Sequence, residues 1–368
     1  MERKTVRRRV LAGALALVVL VGAVPAHAEP GGRVGAALEW LVEANEAPGA
    51  QAVVTERGRS REIGRGTGDL RTGKPFPRHS RVRIGSNTKS FVATVVLQLV
   101  AQGRVGLDAP VERYLPGLVT GNGNDGTRVT VRHVLQHTGG LPEYLRVVDL
   151  HELRWTHVEP VELVRAAMTL PPDFEPGTRW SYSNTGYVLA GLIVEAVTGR
   201  SIGEEITRRV LVPLGLASTY YPRRDETGVR GPHPRGYHLQ DGGLVDYTDQ
   251  NMSWAGPAGA MVGTGEDLNR FFTALLAGRL LPPALLAEMK RTVPMDLIPG
   301  AHYGLGLVRI PTSCGKDLWG HGGGLPGFLT RGGVTEDGRA VNVTVNRHIT
   351  TAEQSSNPYK VAEAAVCD

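Results

Sequence analysis

The sequence runs to 368 residues, 41% of them hydrophobic and 6% aromatic, which suits one large or two modest globular domains. Its formal charge of +5 belongs mostly to the first 28 residues, which hold five of the 41 basic and one of the 36 acidic groups and leave the remainder near +1. No Lys/Arg block interleaved with aromatics remains, which excludes nucleic acid as the partner.

Arg3, Lys4, Arg7, Arg8 and Arg9 precede an uncharged run, Val10 to Val24, and then Ala26-His27-Ala28. Basic start, apolar middle and small-x-small end predict a signal peptide over residues 1–28. The run is about 15 residues where a spanning helix needs roughly 20, so no stable membrane anchor is expected after cleavage and the mature chain, 29–368, is expected to be secreted. The three consecutive arginines fit export either unfolded or folded.

Val34 to Ala44 has helical spacing and stops at Pro48-Gly49. Strands follow at Ala50–Thr55, Glu62–Arg65 and Arg81–Ile84, read as antiparallel neighbours because their connections are short. From Lys89 to Gln102 apolar residues recur every three or four positions, a buried helix with Ser86 at its N-terminal end. Helical segments continue at Val131–Gln136, Val161–Leu170, Tyr187–Val197 and Gly203–Val212. Beyond Trp254 come a helix, Gly265–Leu276, and strands at Tyr303–Ile310, Asp317–Trp319, Phe328–Val334 and Ala340–Val345. The expected fold is α+β: one antiparallel sheet from about 29–85 and 250–368, flanked by terminal helices, with a mostly helical subdomain inserted at about 86–249.

Ser86-Asn87-Thr88-Lys89 puts a hydroxyl and an amine on one face of a helix turn, where the helix N-terminus favours a developing oxyanion. Ser313-Cys314-Gly315-Lys316 has the same spacing but no helix after it and reads as structural. Tyr182-Ser183-Asn184 offers a phenol to relay a proton and an amide to hold a carbonyl. Of three His-x-Gly tripeptides, at His137, His302 and His321, only the last lies before a late strand, Phe328–Val334, where backbone N–H groups are expected to be able to face a bound acyl group. Gly199-Arg200-Ser201-Ile202-Gly203 spells a nucleophile elbow, yet a helix precedes it, and Ser201 with Glu204 reads as a capping box. Gly68 to Lys74 fails as a phosphate loop because Pro75 stands where Ser or Thr is needed. The histidines are scattered, so no metal site is expected, and serine chemistry implies no cofactor. Cys314 and Cys367, the only cysteines, are expected to form one disulfide in an oxidising compartment.

In order and spacing, Ser-x-x-Lys, Tyr-x-Asn and His-x-Gly resemble the three motifs of class C β-lactamases and the serine D-Ala-D-Ala carboxypeptidases of streptomycetes. Arg83-Ile84-Gly85-Ser86, His137-Thr138-Gly139-Gly140-Leu141, Ser181-Tyr182-Ser183-Asn184, Trp254-Ala255, Tyr303-Gly304-Leu305-Gly306 and the Cys314–Cys367 spacing extend the likeness over nearly the whole mature chain. The resemblance implies that Ser86 attacks, that Lys89 and Tyr182 move its proton, and that Asn184, His321, Gly323, Gly324 and Trp254 contact substrate. The N–H groups of Ser86 and Gly324 would form the oxyanion hole. It also implies peptidoglycan stem peptides as substrates and β-lactams as acylating ligands. Gly322 and Gly324 replace threonines of the carboxypeptidase pattern, and Val308 stands where an arginine grips the terminal carboxylate; Arg309 is one residue off, hence on the opposite face. A β-lactamase, an esterase or amidase, and a peptide cyclase share the chemistry; a non-catalytic sensor is the reading from another class.

Overall fold

The computed structural model describes residues 32–349 and 351–367, so the expected leader lies outside the described residues. Helix α1, Gly32–Ala44, buries Val34, Leu38 and Leu41 and leads into the hairpin of β1, Gly49–Glu56, and β2, Arg59–Gly66. The late strands complete this sheet: β5 Val293–Pro294, β6 His302–Tyr303, β7 Val308–Pro311, β8 Asp317–Gly320, β9 Gly323–Leu325, β10 Phe328–Thr335 and β11 Ala340–Val345. The order is β2-β1-β11-β10-β8-β7-β6-β5, with β9 also paired to β10, antiparallel throughout. Val341, Val343 and Val345 of β11 share a buried cluster with α1 and the last helix, Pro358–Val366.

A second cluster fills the helical part around α2, Thr88–Ala101, whose residues from Thr88 to Leu97 are all buried. Phe91 stacks on Phe271 of the helix Gly265–Leu276 at 3.8 Å between ring centroids. Ser86 sits where the two clusters meet, in a turn, Gly85–Asn87, that feeds α2.

Three expectations are corrected. Arg81–Ile84 does not extend the main sheet: Val82–Arg83 (β3) pairs with Val262–Gly263 (β4) in a separate ribbon, which carries the chain from the sheet to Ser86. Tyr303–Ile310 is two strands, because Gly304 and Gly306 turn the chain. A side chain at Gly304 would lie 2.1 Å from the Met289 carbonyl, and one at Gly306, where φ is +73°, 2.6 Å from Ala93. The segment Gly203–Val212 is a helix only to Ile206 and then widens into a π-helical turn, Thr207–Leu211. Ser201 opens that helix as a capping box with Glu204, as expected. The structure pairs Cys314 with Cys367, with Cα atoms 5.7 Å apart. Lys316, of the second Ser-x-x-Lys, is bound to Asp337 and the Val366 carbonyl and, among the described residues, makes no hydrogen bond to Ser313. No described helix is long and apolar enough to cross a membrane.

Candidate active site

The nucleophile's position is set by a glycine. Gly85 has φ of +53°, and a Cβ there would lie 3.0 Å from the Gly324 nitrogen, so glycine lets the turn carrying Ser86 press against β9. A Cβ at Gly323 would lie 2.0 Å from the Ile84 carbonyl, so that residue is glycine for the same reason. The register of β9 on β10, Leu325 opposite Phe328 across Pro326-Gly327, makes Leu325–Phe328 the hydrogen-bonded pair and Gly324–Leu329 the unbonded one. The Gly324 N–H therefore points away from β10, towards Ser86.

Lys89 is the second residue of α2 and is fully buried. Its Nζ is 3.0 Å from Ser86 Oγ, 2.8 Å from Asn184 Oδ1 and 2.7 Å from the Ala258 carbonyl. Burial pulls its pKa down to about 7, opposed by the charge of Glu143. A neutral amine has two N–H groups and one lone pair. Asn184 Oδ1 and the Ala258 carbonyl can only accept, so they take the two N–H groups, and the lone pair is left facing the Ser86 hydroxyl. That is the geometry of a general base.

Tyr182 also hydrogen-bonds Ser86, and burial holds its phenol well above the ordinary range, so it carries its proton at neutral pH. Asn184 begins the helix Asn184–Thr198. The carboxylate of Glu143 accepts from its backbone N–H at 2.6 Å and from Nδ2 at 3.1 Å, which fixes the amide with Oδ1 turned to Lys89. Burial raises the pKa of Glu143.

His321 belongs to a directed hydrogen-bond chain. Its Nδ1 can only donate to the Gly322 carbonyl, at 2.6 Å, so Nε2 accepts from the Tyr303 hydroxyl at 2.9 Å. The Tyr303 oxygen then accepts from His137 Nε2, at 3.1 Å, and His137 Nδ1 accepts from the Ser183 N–H, at 3.1 Å. Both rings must be neutral, in agreement with burial depressing both pKa values, that of His321 to about 3. The chain ties the Tyr-x-Asn loop to the His-x-Gly strand.

Ser86, Tyr182, Tyr303, His321 and Gly322 to Gly324 line a cleft of about 390 Å³. Val308 is on its wall, while Arg309 is turned away to Asp317 at 2.7 Å, as the strand register requires. A larger cleft of about 820 Å³, beside Glu195 and Arg208, holds none of these groups and is not where the chemistry lies. Trp254 is corrected: it is 6% exposed, lies in the helical core, and only its carbonyl is used, by the Tyr144 hydroxyl at 2.6 Å. Four residues were not singled out from sequence. His137 and Tyr303 lay inside the two His-x-Gly tripeptides set aside there; Glu143 and Arg331 carried no signal. Arg331 is the only charged residue among those described as lining the cleft.

The sequence profile of the family described as "Beta-lactamase" matches residues 36–366. The chain belongs to that family. Membership makes it a hydrolase of the acyl-serine kind. Among curated relatives it is 30% identical over 298 residues to the esterase EstB of Burkholderia gladioli, covering 70% of this chain and 73% of that one. Among solved structures, a D-stereospecific amidohydrolase from Streptomyces sp. superposes with a TM-score of 0.84 at 38% identity, over 91% of this chain and 98% of that one. A D-amino acid amidase from Ochrobactrum anthropi SV3 gives 0.79 at 28% identity, over 90% and 97%.

Proposed function

We propose that this protein is an exported serine amidohydrolase that cleaves the amide bond on the carbonyl side of a D-amino-acid residue through an acyl-enzyme on Ser86. The observation that carries the mechanism is the Lys89 lone pair, left facing Ser86 Oγ by its two other partners. Ser86 Oγ bonds to the substrate carbonyl carbon as its proton passes to Lys89 Nζ, and the carbonyl electron pair moves onto oxygen, between the N–H groups of Ser86 and Gly324. Collapse re-forms the carbonyl and breaks the C–N bond. The nitrogen leaves with the proton, handed on through the Tyr182 phenol. Water then repeats the sequence on the ester. His321 is too poor a base to compete.

The choice of a D-amino-acid substrate is supported by the likeness to the two D-specific amidases. A D-Ala-D-Ala carboxypeptidase is the narrower reading of the same chemistry, acting on peptidoglycan stem peptides. It needs a grip on a terminal carboxylate, and Val308, Gly322 and Gly324 supply no donor side chain for one. Export is supported by the leader-like residues 1–28 and by the single cysteine pair. The test compares D- and L-phenylalanine amide, an acyl-D-Ala-D-Ala peptide and p-nitrophenyl acetate as substrates of residues 29–368 and of Ser86→Ala. D-amide turnover lost in the variant is expected. Preference for the L-amide refutes the stereochemical reading, and faster release of D-alanine from the peptide restores the carboxypeptidase.

A further inference from the structure

Arg331 is a cation in a cleft whose other described lining residues are neutral, and its hydrogen-bond partners among the described residues are two backbone carbonyls and a hydroxyl, with no carboxylate among them. The guanidinium is half-buried, where a charge without a carboxylate partner is costly, so what its protons do is informative. Its Nη1 donates to the carbonyl of Gly323 at 2.9 Å and to that of Thr330 at 2.8 Å, and its Nη2 donates to Ser355 Oγ. The first of these matters because the Gly323 carbonyl and the Gly324 N–H belong to one peptide unit. A planar trans peptide directs them oppositely. With the carbonyl turned to Arg331, the N–H is aimed at Ser86.

Gly322 makes the contact possible. A Cβ at that position would stand 2.8 Å from both Cδ and Nη1 of Arg331, so the missing side chain is the volume through which the guanidinium reaches the strand. The glycine that weakens the case for a carboxylate grip thus has a use of its own.

We infer that Arg331 is a positioning residue of the oxyanion hole: it orients and polarises the Gly323–Gly324 peptide so that the Gly324 N–H donates more strongly to the oxygen of the tetrahedral intermediate. A charge-assisted hydrogen bond to a carbonyl draws electrons from the amide and strengthens its N–H as a donor, an effect that grows where water is excluded. The inference rests on the acyl-serine reading of the site.

The experiment measures kcat/KM for p-nitrophenyl acetate and for its thiono counterpart, in which sulfur replaces the carbonyl oxygen and accepts hydrogen bonds poorly. Wild type, Arg331→Met, Arg331→Lys and Gly322→Ala are compared, each checked by thermal unfolding. Outright loss of an oxyanion donor costs about 10² to 10³ in rate, so loss of its polarisation is expected to cost about 10- to 100-fold on the oxygen ester. The thiono ester should lose much less, so the oxo/thiono ratio shrinks. Lysine should restore part of the ratio, and Gly322→Ala should lower it with the charge intact. Equal losses on both esters, or none, overturn the inference. So does a defect seen only as a raised KM for substrates carrying a carboxylate, which would make Arg331 a substrate reader. Ser86→Ala that still turns over the ester would instead remove the acyl-serine reading itself.

Discussion

Acylation of Ser86 should follow a single ascending limb that bends near pH 7. The fall of the Lys89 pKa from 10.5 to about 7 corresponds to about 5 kcal/mol of preference for the neutral amine, supplied by burial against the opposing charge of Glu143. With a pKa of about 7, roughly nine-tenths of Lys89 is neutral at pH 8 and roughly one-tenth at pH 6, so acylation should be about tenfold faster at pH 8 and little faster above it. An unshifted lysine would give about a hundredfold change over the same interval and continue upward past pH 9. The assay is the second-order rate of benzylpenicillin labelling followed by intact mass between pH 5 and 10. A limb of unit slope unbroken to pH 9, or a flat profile from pH 5 to 8, would refute Lys89 as the base. In Glu143→Gln the bend should move to lower pH, because the lost negative charge had favoured the ammonium; a move upward contradicts the electrostatics.

The same shift is a stability statement. Between about pH 7 and 10.5 the unfolded chain holds a proton on Lys89 that the folded chain has lost, so stability should rise with pH there, and denaturant titrations at pH 7 and 9 should show less of that rise in Lys89→Met. Glu143→Ala removes the acceptor that orients Asn184, and kcat/KM for a D-amino-acid amide should fall by about 10- to 100-fold, the worth of about 1.5–3 kcal/mol for hydrogen bonds to a charged group. Gly85→Ala should lower stability by at least about 1–2 kcal/mol through the left-handed backbone, and should slow penicillin labelling because its Cβ pushes on the Gly324 nitrogen. Cys314→Ser should cost about 4 kcal/mol in the chain-entropy picture, read as a lower Tm, with kcat of the folded protein unchanged because the bridge lies outside the cleft.

Much of the fold was legible because its signals are local. The apolar period of α2 and the short apolar segments of β1 and β11 follow from burial, nearly complete in the helix and on both faces of the strands, and the predicted boundaries lie within two residues of those observed. The errors arose where tertiary contacts decide. Gly304 and Gly306 break an apolar run because Met289, Ala93 and Tyr187 crowd them, and β3 finds its partner far along the chain, Val82 opposite Gly263. The site divides the same way. Ser86, Lys89, Tyr182 and Asn184 form two short motifs, and the sequence held them whole. Arg331 acts through a backbone carbonyl, and Glu143 through the backbone N–H and side-chain amide of a residue 41 positions away, so no spacing rule finds them. Trp254 was expected in the cleft on a likeness of sequence; its ring is held in the helical core instead.

The acyl-enzyme is the claim on which the rest depends. Rapid quenching of residues 29–368 with benzylpenicillin or a D-amino-acid ester, followed by peptide mass mapping, tests it most directly. The account predicts one adduct, on the peptide containing Ser86, absent from Ser86→Ala and formed far more slowly in Lys89→Met. An adduct on Ser201 or Ser313, or turnover that survives in Ser86→Ala, would contradict it.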